Sequence, residues 1–450
     1  MKIKKNSQQR IEIQSATAKG FGLGYVNDFA VFVDGALPGD ILLVHILKVK
    51  TRYGYGKILE IITPSPSRIE SPCPVSHHCG GCQWQHCDYQ AQLRFKKKIV
   101  TDALVRIGGI ENPGVNDVMG MENPRRYRNK AVFPIVPAKN KNGFTIGMYM
   151  PRTHRMVEVE DCNIQHEAHI KILVVLKEHM RRHSISAYDE VTHTGLMRHI
   201  MIRTSIATGE IMVVLVANGK GIPAEGEICE KLKNLGVTTA IFNSNKSKGN
   251  VILGDGFRTL FGKGFISEKL GEIEYQLSAP SFFQVNPVQA AILYDVAIAQ
   301  ARLDGTQTVI DAHVGVGGVA LYAAKNARHV IGIDIAPSSI EDAKKNAELN
   351  GITNTKFILG AAEEIIPQML PTESAQVVFL DPPRKGCEAA LLDALIAAKI
   401  PCIVYISCDP ATLARDIKRL VGGGYKLNAV QPVDMFPMTG KVETSVLLCI

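Results

Sequence analysis

From about residue 280 to its end the chain alternates short apolar runs with stretches of helical character, and no other feature limits the fold as much. Thr308–Asp311, His329–Ile333, Thr355–Leu359, Val377–Leu380 and Ile403–Ile406 read as buried strands, and Ser338–Asn350 and Glu388–Lys399 as helices. This alternation predicts an α/β domain with a mostly parallel sheet and helices on both faces. Ligands of such sheets bind outside the carboxyl ends of the strands. Two runs end in reactive groups: Val377–Leu380 leads into Asp381-Pro382-Pro383-Arg384, and Ile403–Ile406 into Ser407-Cys408-Asp409-Pro410. A thiol and a carboxylate at two strand tips point to covalent chemistry on an electrophilic ring. An isolated cysteine is more often a small buried hydrophobe, so the neighbouring motifs must carry the argument.

The first strand of this domain runs into Asp311-Ala312-His313-Val314-Gly315-Val316-Gly317-Gly318, where glycines let the backbone approach a ligand. The second ends at Asp334, near the offset of a ribose-binding acid. No full GxGxxG continuation and no Walker lysine follow. Ribose binding without a pyrophosphate cradle favours S-adenosylmethionine over a nicotinamide dinucleotide. Just upstream, Gln284 and Asn286 stand among aromatics in Ser281–Pro287, placed to cross the cofactor's edge or to cap a helix.

Two segments precede this domain, as expected for 450 residues. Residues 1–62 read as short strands interrupted by Gly20, Gly22 and Gly24, which predicts a small OB-type β-barrel. Its Lys48, Lys50, Arg52, Tyr53 and Tyr55 mix charge with aromatics, as single-stranded RNA binding favours and as a lysine-guarded strand edge also would. Residues 63–275 read as a mixed α+β segment with helices over Tyr89–Ile107 and near 166–183. Its basic run Arg125-Arg126-Tyr127-Arg128-Asn129-Lys130 suits phosphate contact. A net charge of +8 leans the same way. No membrane span or secretory signal is visible, so a cytoplasmic location is expected, where the ten cysteines would stay reduced. Three of them, Cys73, Cys79 and Cys82, fall within ten residues, and Cys162 follows much later. Four thiolates suit a [4Fe–4S] cluster or structural zinc, and His77, His78 and His86 keep zinc open.

Taken together, Gln284, the glycine loop, Asp381–Arg384, Ser407–Asp416 and the closing Met435-Phe436-Pro437-Met438-Thr439-Gly440-Lys441-Val442-Glu443 resemble the RNA uracil-5-methyltransferases. The chain is most similar to the 23S ribosomal RNA group that carries an N-terminal TRAM domain and an iron–sulfur cluster. That resemblance implies a Rossmann-like S-adenosylmethionine-dependent domain over 276–450. It also implies cofactor contacts from Gln284, His313, Asp334 and Asp381, with Cys408 as nucleophile and Glu443 as base. The same resemblance makes Cys73, Cys79, Cys82 and Cys162 the ligands of a [4Fe–4S] cluster and RNA, 23S ribosomal RNA in particular, the partner. No obligate protein partner is implied. His313-Val314, Gly318, Lys441 and Asp409 depart from the family's usual residues. Transfer RNA as substrate, a cytosine-5 enzyme, and an RNA-binding cluster protein without catalysis are the competing expectations.

Overall fold

Inward-facing Ile11, Ile13, Val31, Val33, Leu42, Val44 and Ile46 form the core of the N-terminal unit. They sit on strands Gln8–Ala16, Phe29–Val33 and Ile41–Val49, which with Gly22–Val26 and Tyr53–Thr63 close a five-stranded barrel in this computed structural model. The structure describes residues 3–138 and 143–450; residues 1–2 of the expected barrel and 139–142 of the expected central segment lie outside the described residues. Phe29–Val33 pairs in parallel with Tyr53–Thr63 and the other barrel pairs are antiparallel. Gly22 and Gly24 do not interrupt a strand as expected; they lie inside one. A Cβ on Gly24 would stand 2.4 Å from the Glu12 carbonyl oxygen, so the close strand approach requires glycine there.

The middle of the chain forms a seven-stranded mixed sheet, running from Gly256–Phe261 at one edge to Met156–Glu158 at the other. Helices Glu167–Arg182 and Glu225–Asn234 cover it, burying Ile172, Leu176, Ile228 and Leu232 against Val213 and Leu215.

The C-terminal sheet is the expected one, extended by two strands. Its strands are β1 (Thr308–Asp311), β2 (His329–Asp334), β3 (Thr355–Leu359), β4 (Val377–Leu380), β5 (Cys402–Ser407), β6 (Lys426–Val433) and β7 (Glu443–Cys449). Their order is β3-β2-β1-β4-β5-β7-β6. The first five are parallel, whereas β7 runs antiparallel to both β5 and β6. This is a Rossmann-like sheet, with β1 at the point where the strand order reverses.

Two upstream pieces pack into this domain. Val100 and Leu104 of helix Tyr89–Arg106 join a core with Ile310, Ile331, Val378 and Ile403. The hairpin Phe265–Leu270 and Ile273–Ser278 buries Ile266, Tyr275 and Leu277 on the other face, with Tyr275 Oη donating to the Gly318 carbonyl at 3.1 Å. Helix Tyr89–Arg106 also carries Lys96, wholly buried and paired with the equally buried Asp434. No helix among the described residues is long and apolar enough to cross a membrane.

Candidate active site

The carboxyl edge of the parallel strands opens on a cavity of about 790 Å³, lined by all six residues expected to do chemistry or hold the cofactor: Gln284, His313, Asp334, Asp381, Cys408 and Glu443. Strand direction explains the convergence. Asp334 ends β2, Asp381 follows β4 and Cys408 follows β5, so each projects from the same edge. Glu443 is the first residue of β7, and β7 runs the other way, so its beginning lies beside the end of β5. Ser407 pairs with Thr444 in the ladder, and Cys408 and Glu443 are the next positions along it. Cross-strand neighbours of this kind have Cβ atoms about 4.5–5.5 Å apart.

Cys408 stands directly before helix Pro410–Gly422, whose N-cap Asp409 accepts from Ala411 N at 2.9 Å and Thr412 N at 3.3 Å. The position at a helix N-terminus favours a thiolate. Burial works against it more strongly, and with Glu443 and Asp381 nearby it pushes the thiol up to about 11, Arg384 opposing. Burial and Asp381 likewise raise Glu443 to about 8, against the pull of Lys441 and Arg384. Asp381 itself rises to about 7 through burial and Asp311. The resting site therefore holds its protons near neutral pH: a thiol beside a carboxylic acid poised to ionise.

The cofactor half of the cavity is built on β1 and β2. Gly315 at φ +53° and Gly317 at φ +97° turn the chain after β1, conformations that favour glycine. Gly317 N closes the turn on the Val314 carbonyl at 2.9 Å. A Cβ on Gly318 would meet Tyr294 Oη at 2.8 Å, so a larger residue there would require that ring to move. Asp334 accepts from Gly315 N at 3.0 Å and from Ala336 N at 2.8 Å, one bond per carboxylate oxygen. Each oxygen keeps acceptor capacity for a ribose hydroxyl. His313 is held neutral by burial, which lowers it to about 4, and its Nδ1 is buried without a partner. An unsatisfied ring nitrogen, an acid with spare acceptors and a glycine turn fit an adenosyl group.

Sequence reasoning left several cavity residues without a role. Arg384 and Lys441 were singled out by motif only, yet both line the cavity and both act on Glu443. Lys441 Nζ lies 5.6 Å from the Phe436 ring centroid. The basic run splits: Arg128 lines the cavity, whereas Arg126 is spent on Asp161 at 2.7 Å and on the Cys162 carbonyl at 2.6 Å.

The four cysteines Cys73, Cys79, Cys82 and Cys162 come together although one is distant in sequence. Burial raises Cys82 to about 12, and Cys162, Cys79 and Cys73 all add to that rise, so each thiol is within electrostatic reach of it. Gly81 N donates to Cys79 Sγ and Gln85 Nε2 to Cys82 Sγ, each at 3.4 Å. N–H donors of this sort support sulfur ligands. His86 turns away, toward the backbone of Gly35 in the barrel.

Comparison with known proteins agrees with this architecture. Residues 88–450 match the family model for tRNA (Uracil-5-)-methyltransferase, and residues 2–59 match the TRAM domain. An uncharacterised RNA methyltransferase of Halalkalibacterium halodurans is 43% identical over 99% of this chain and 98% of its own length. One from Clostridium tetani is 46% identical over 99% and 97%. Among solved structures, the Pyrococcus abyssi tRNA (uracil-54, C5)-methyltransferase in complex with S-adenosyl-L-homocysteine superposes with a TM-score of 0.78 at 28% identity. It covers 98% of this chain and 100% of its own. The protein is thus an S-adenosylmethionine-dependent RNA methyltransferase with an N-terminal TRAM barrel, and it belongs to the tRNA (uracil-5-)-methyltransferase family.

Proposed function

We propose that the protein methylates C5 of one uridine in 23S ribosomal RNA, in the cytoplasm, through a covalent adduct between Cys408 and C6 of the base. The observation that carries this reading is the facing of Cys408 and Glu443 one step beyond the Ser407–Thr444 pair, at the lip of the cofactor cavity. C5 of uracil is a poor nucleophile. Once the Cys408 thiol has lost its proton to solvent, the thiolate adds to C6, which breaks the ring's conjugation and moves an electron pair toward C5 as an enolate. The bound cofactor supplies an electrophilic methyl group on a sulfonium. Once C5 carries the methyl, Glu443 takes the remaining C5 proton, the C5–C6 double bond re-forms and the Cys408–C6 bond breaks, returning the sulfur. A carboxylate raised to about 8 is a stronger base than an ordinary one and still ionises near physiological pH. Gln284, His313, Asp334 and Asp381 would hold the cofactor, and Arg128, Arg384 and Lys441 would meet the phosphates of a nucleotide turned out of its stack.

Cys73, Cys79, Cys82 and Cys162 would hold a [4Fe–4S] cluster acting as a structural cross-link, because methyl transfer moves no net electrons. The choice of cluster over zinc rests on the resemblance to the ribosomal RNA group; four thiolates with N–H donors from Gly81 and Gln85 suit either group. The functional units we infer are 1–62, 63–275 and 276–450, joined by the shared packing described above.

Transfer RNA is the second reading, and the Pyrococcus abyssi likeness favours it. The resemblance of the sequence motifs to the ribosomal RNA group favours ribosomal RNA, on which the proposal rests; the barrel does not discriminate, because the Pyrococcus abyssi enzyme matches 98% of this chain. Mass spectrometry of 23S and transfer RNA from a strain lacking the gene decides: 5-methyluridine should vanish from one 23S position. Its loss from transfer RNA alone would overturn the substrate assignment.

A further inference from the structure

The segment ahead of Glu443 separates two cavities. Lys441 lines the active-site cavity, and Met438 lines a second cavity of about 270 Å³. Three residues of chain span at most about 10 Å, so the second cavity lies within reach of a nucleotide next to the one being methylated. Gln85 and Asn163 line it from opposite stretches of sequence. Gln85 is 3% exposed, and with its Nε2 bound to Cys82 Sγ its Oε1 is left buried without a partner. Asn163 Nδ2 is likewise buried and unpartnered. One unused acceptor and one unused donor thus line the same space. Tyr89 and Met438 add apolar surface, and the exposed Arg125, whose guanidinium has no ion pair among the described residues, adds a cation.

We propose that this cavity receives the base of a nucleotide flanking the target uridine, with Gln85 Oε1 and Asn163 Nδ2 meeting its edge and Arg125 its phosphate. Every nucleobase presents an N–H beside a carbonyl or ring nitrogen, which is the complement of that amide pair. The cavity would therefore hold the strand in the extended course that delivers the neighbouring uracil to Cys408. This inference rests on the reading of the active site as an RNA methyltransferase centre.

The test uses full-length protein, tritiated S-adenosylmethionine and total ribosomal and transfer RNA from a strain lacking the gene. Asn163→Leu keeps the side chain's size and removes the donor; Arg125→Ala alters an exposed residue. Each should raise KM for RNA about tenfold with kcat nearly unchanged, while S-adenosylmethionine affinity, visible absorption and melting midpoint stay at wild-type values. RNA carrying 4-thiouridine should photo-crosslink to peptides containing Tyr89, Arg125 or Met438. An unchanged KM in both variants, with crosslinks confined to the Cys408 cavity, would mean the cavity holds only water and would overturn the inference. Failure of wild-type protein to methylate any RNA would instead overturn the active-site reading and this inference with it.

Discussion

Replacing Glu443 by Gln separates the two roles proposed for its carboxyl group. The amide keeps the shape and cannot take the C5 proton, so turnover should fall by about 10²–10⁴-fold, the usual worth of a positioned base. Addition to C6 and methyl transfer precede that step, so a covalent protein–RNA species should accumulate, visible as a retarded band on a denaturing gel. The same substitution acts on the thiol. Glu443 is a cause of the raised Cys408 pKa, after burial. Two charges about 5 Å apart repel by about 3 kcal/mol at an effective dielectric of about 20, an upper bound of roughly two pKa units. That repulsion exists only while Glu443 is ionised, and it ionises at about 8. Wild type and variant should then alkylate with iodoacetamide at similar rates at pH 7, and the variant should be faster at pH 9. No adduct together with identical alkylation profiles at both pH values would refute the placement of the carboxylate beside the sulfur.

Cys408→Ala should abolish methyl transfer with S-adenosylmethionine affinity retained by calorimetry, since the thiol faces the base; substantial residual turnover would end the covalent mechanism. Methylation by the wild-type enzyme should rise with pH from 6 to 9, because both the base, at about 8, and the nucleophile, at about 11, gain their reactive forms upward. A flat profile in single-turnover assays would contradict that assignment. Asp334→Asn should weaken the cofactor at least tenfold by calorimetry, because the amide loses one backbone N–H bond as well as an acceptor for the ribose; unchanged affinity would remove it from the ribose site. Lys96→Met strands the buried Asp434 without its cation and should cost about 3–5 kcal/mol in denaturant unfolding. A loss below about 1 kcal/mol would show that water reaches the pair.

The five parallel strands were legible because each is a short apolar run bounded by turn residues, and the observed ends differ from the expected ones by a residue or so. Asp334, Asp381 and Cys408 were legible at strand ends, whereas Glu443 entered only through the resemblance of its closing motif. Hidden from periodicity were β6 and β7, since a run such as Ser445–Leu448 has no alternation and its direction depends on a partner distant in sequence. Helix Tyr89–Arg106 was visible as a helix, but its Val100 and Leu104 do not announce whose core they enter. Gly22 and Gly24 misled for a related reason: glycine usually breaks strands, and here close barrel contacts demand it, from Ala36 and Ile13 at Gly22 and from Glu12 and Ile11 at Gly24.

Between β6 and β7 the chain has no regular structure of its own, yet it must deliver Glu443 to within reach of Cys408. Its position is therefore set by side chains and backbone from elsewhere. Lys96 holds Asp434 and the Phe436 carbonyl, Asn286 Nδ2 holds the Met435 carbonyl at 3.1 Å, and Tyr127 Oη holds the Pro437 carbonyl at 3.0 Å. Gln92 Oε1 accepts from Met438 N at 2.9 Å, and the Met438 carbonyl accepts from Gln83 N and Trp84 N at 3.1 and 3.0 Å. Gln83 directly follows Cys82. A cluster held by Cys79 and Cys82 would thus fix the loop that clamps the segment bearing Glu443, giving a metal group with no redox step a mechanical use in catalysis. Removing one ligand by Cys82→Ser should accordingly lower kcat more than it weakens S-adenosylmethionine binding, because the cofactor half of the cavity stands on β1 and β2, which the clamp does not touch. Equal losses in both would mean the thiols serve overall folding and not the placement of Glu443.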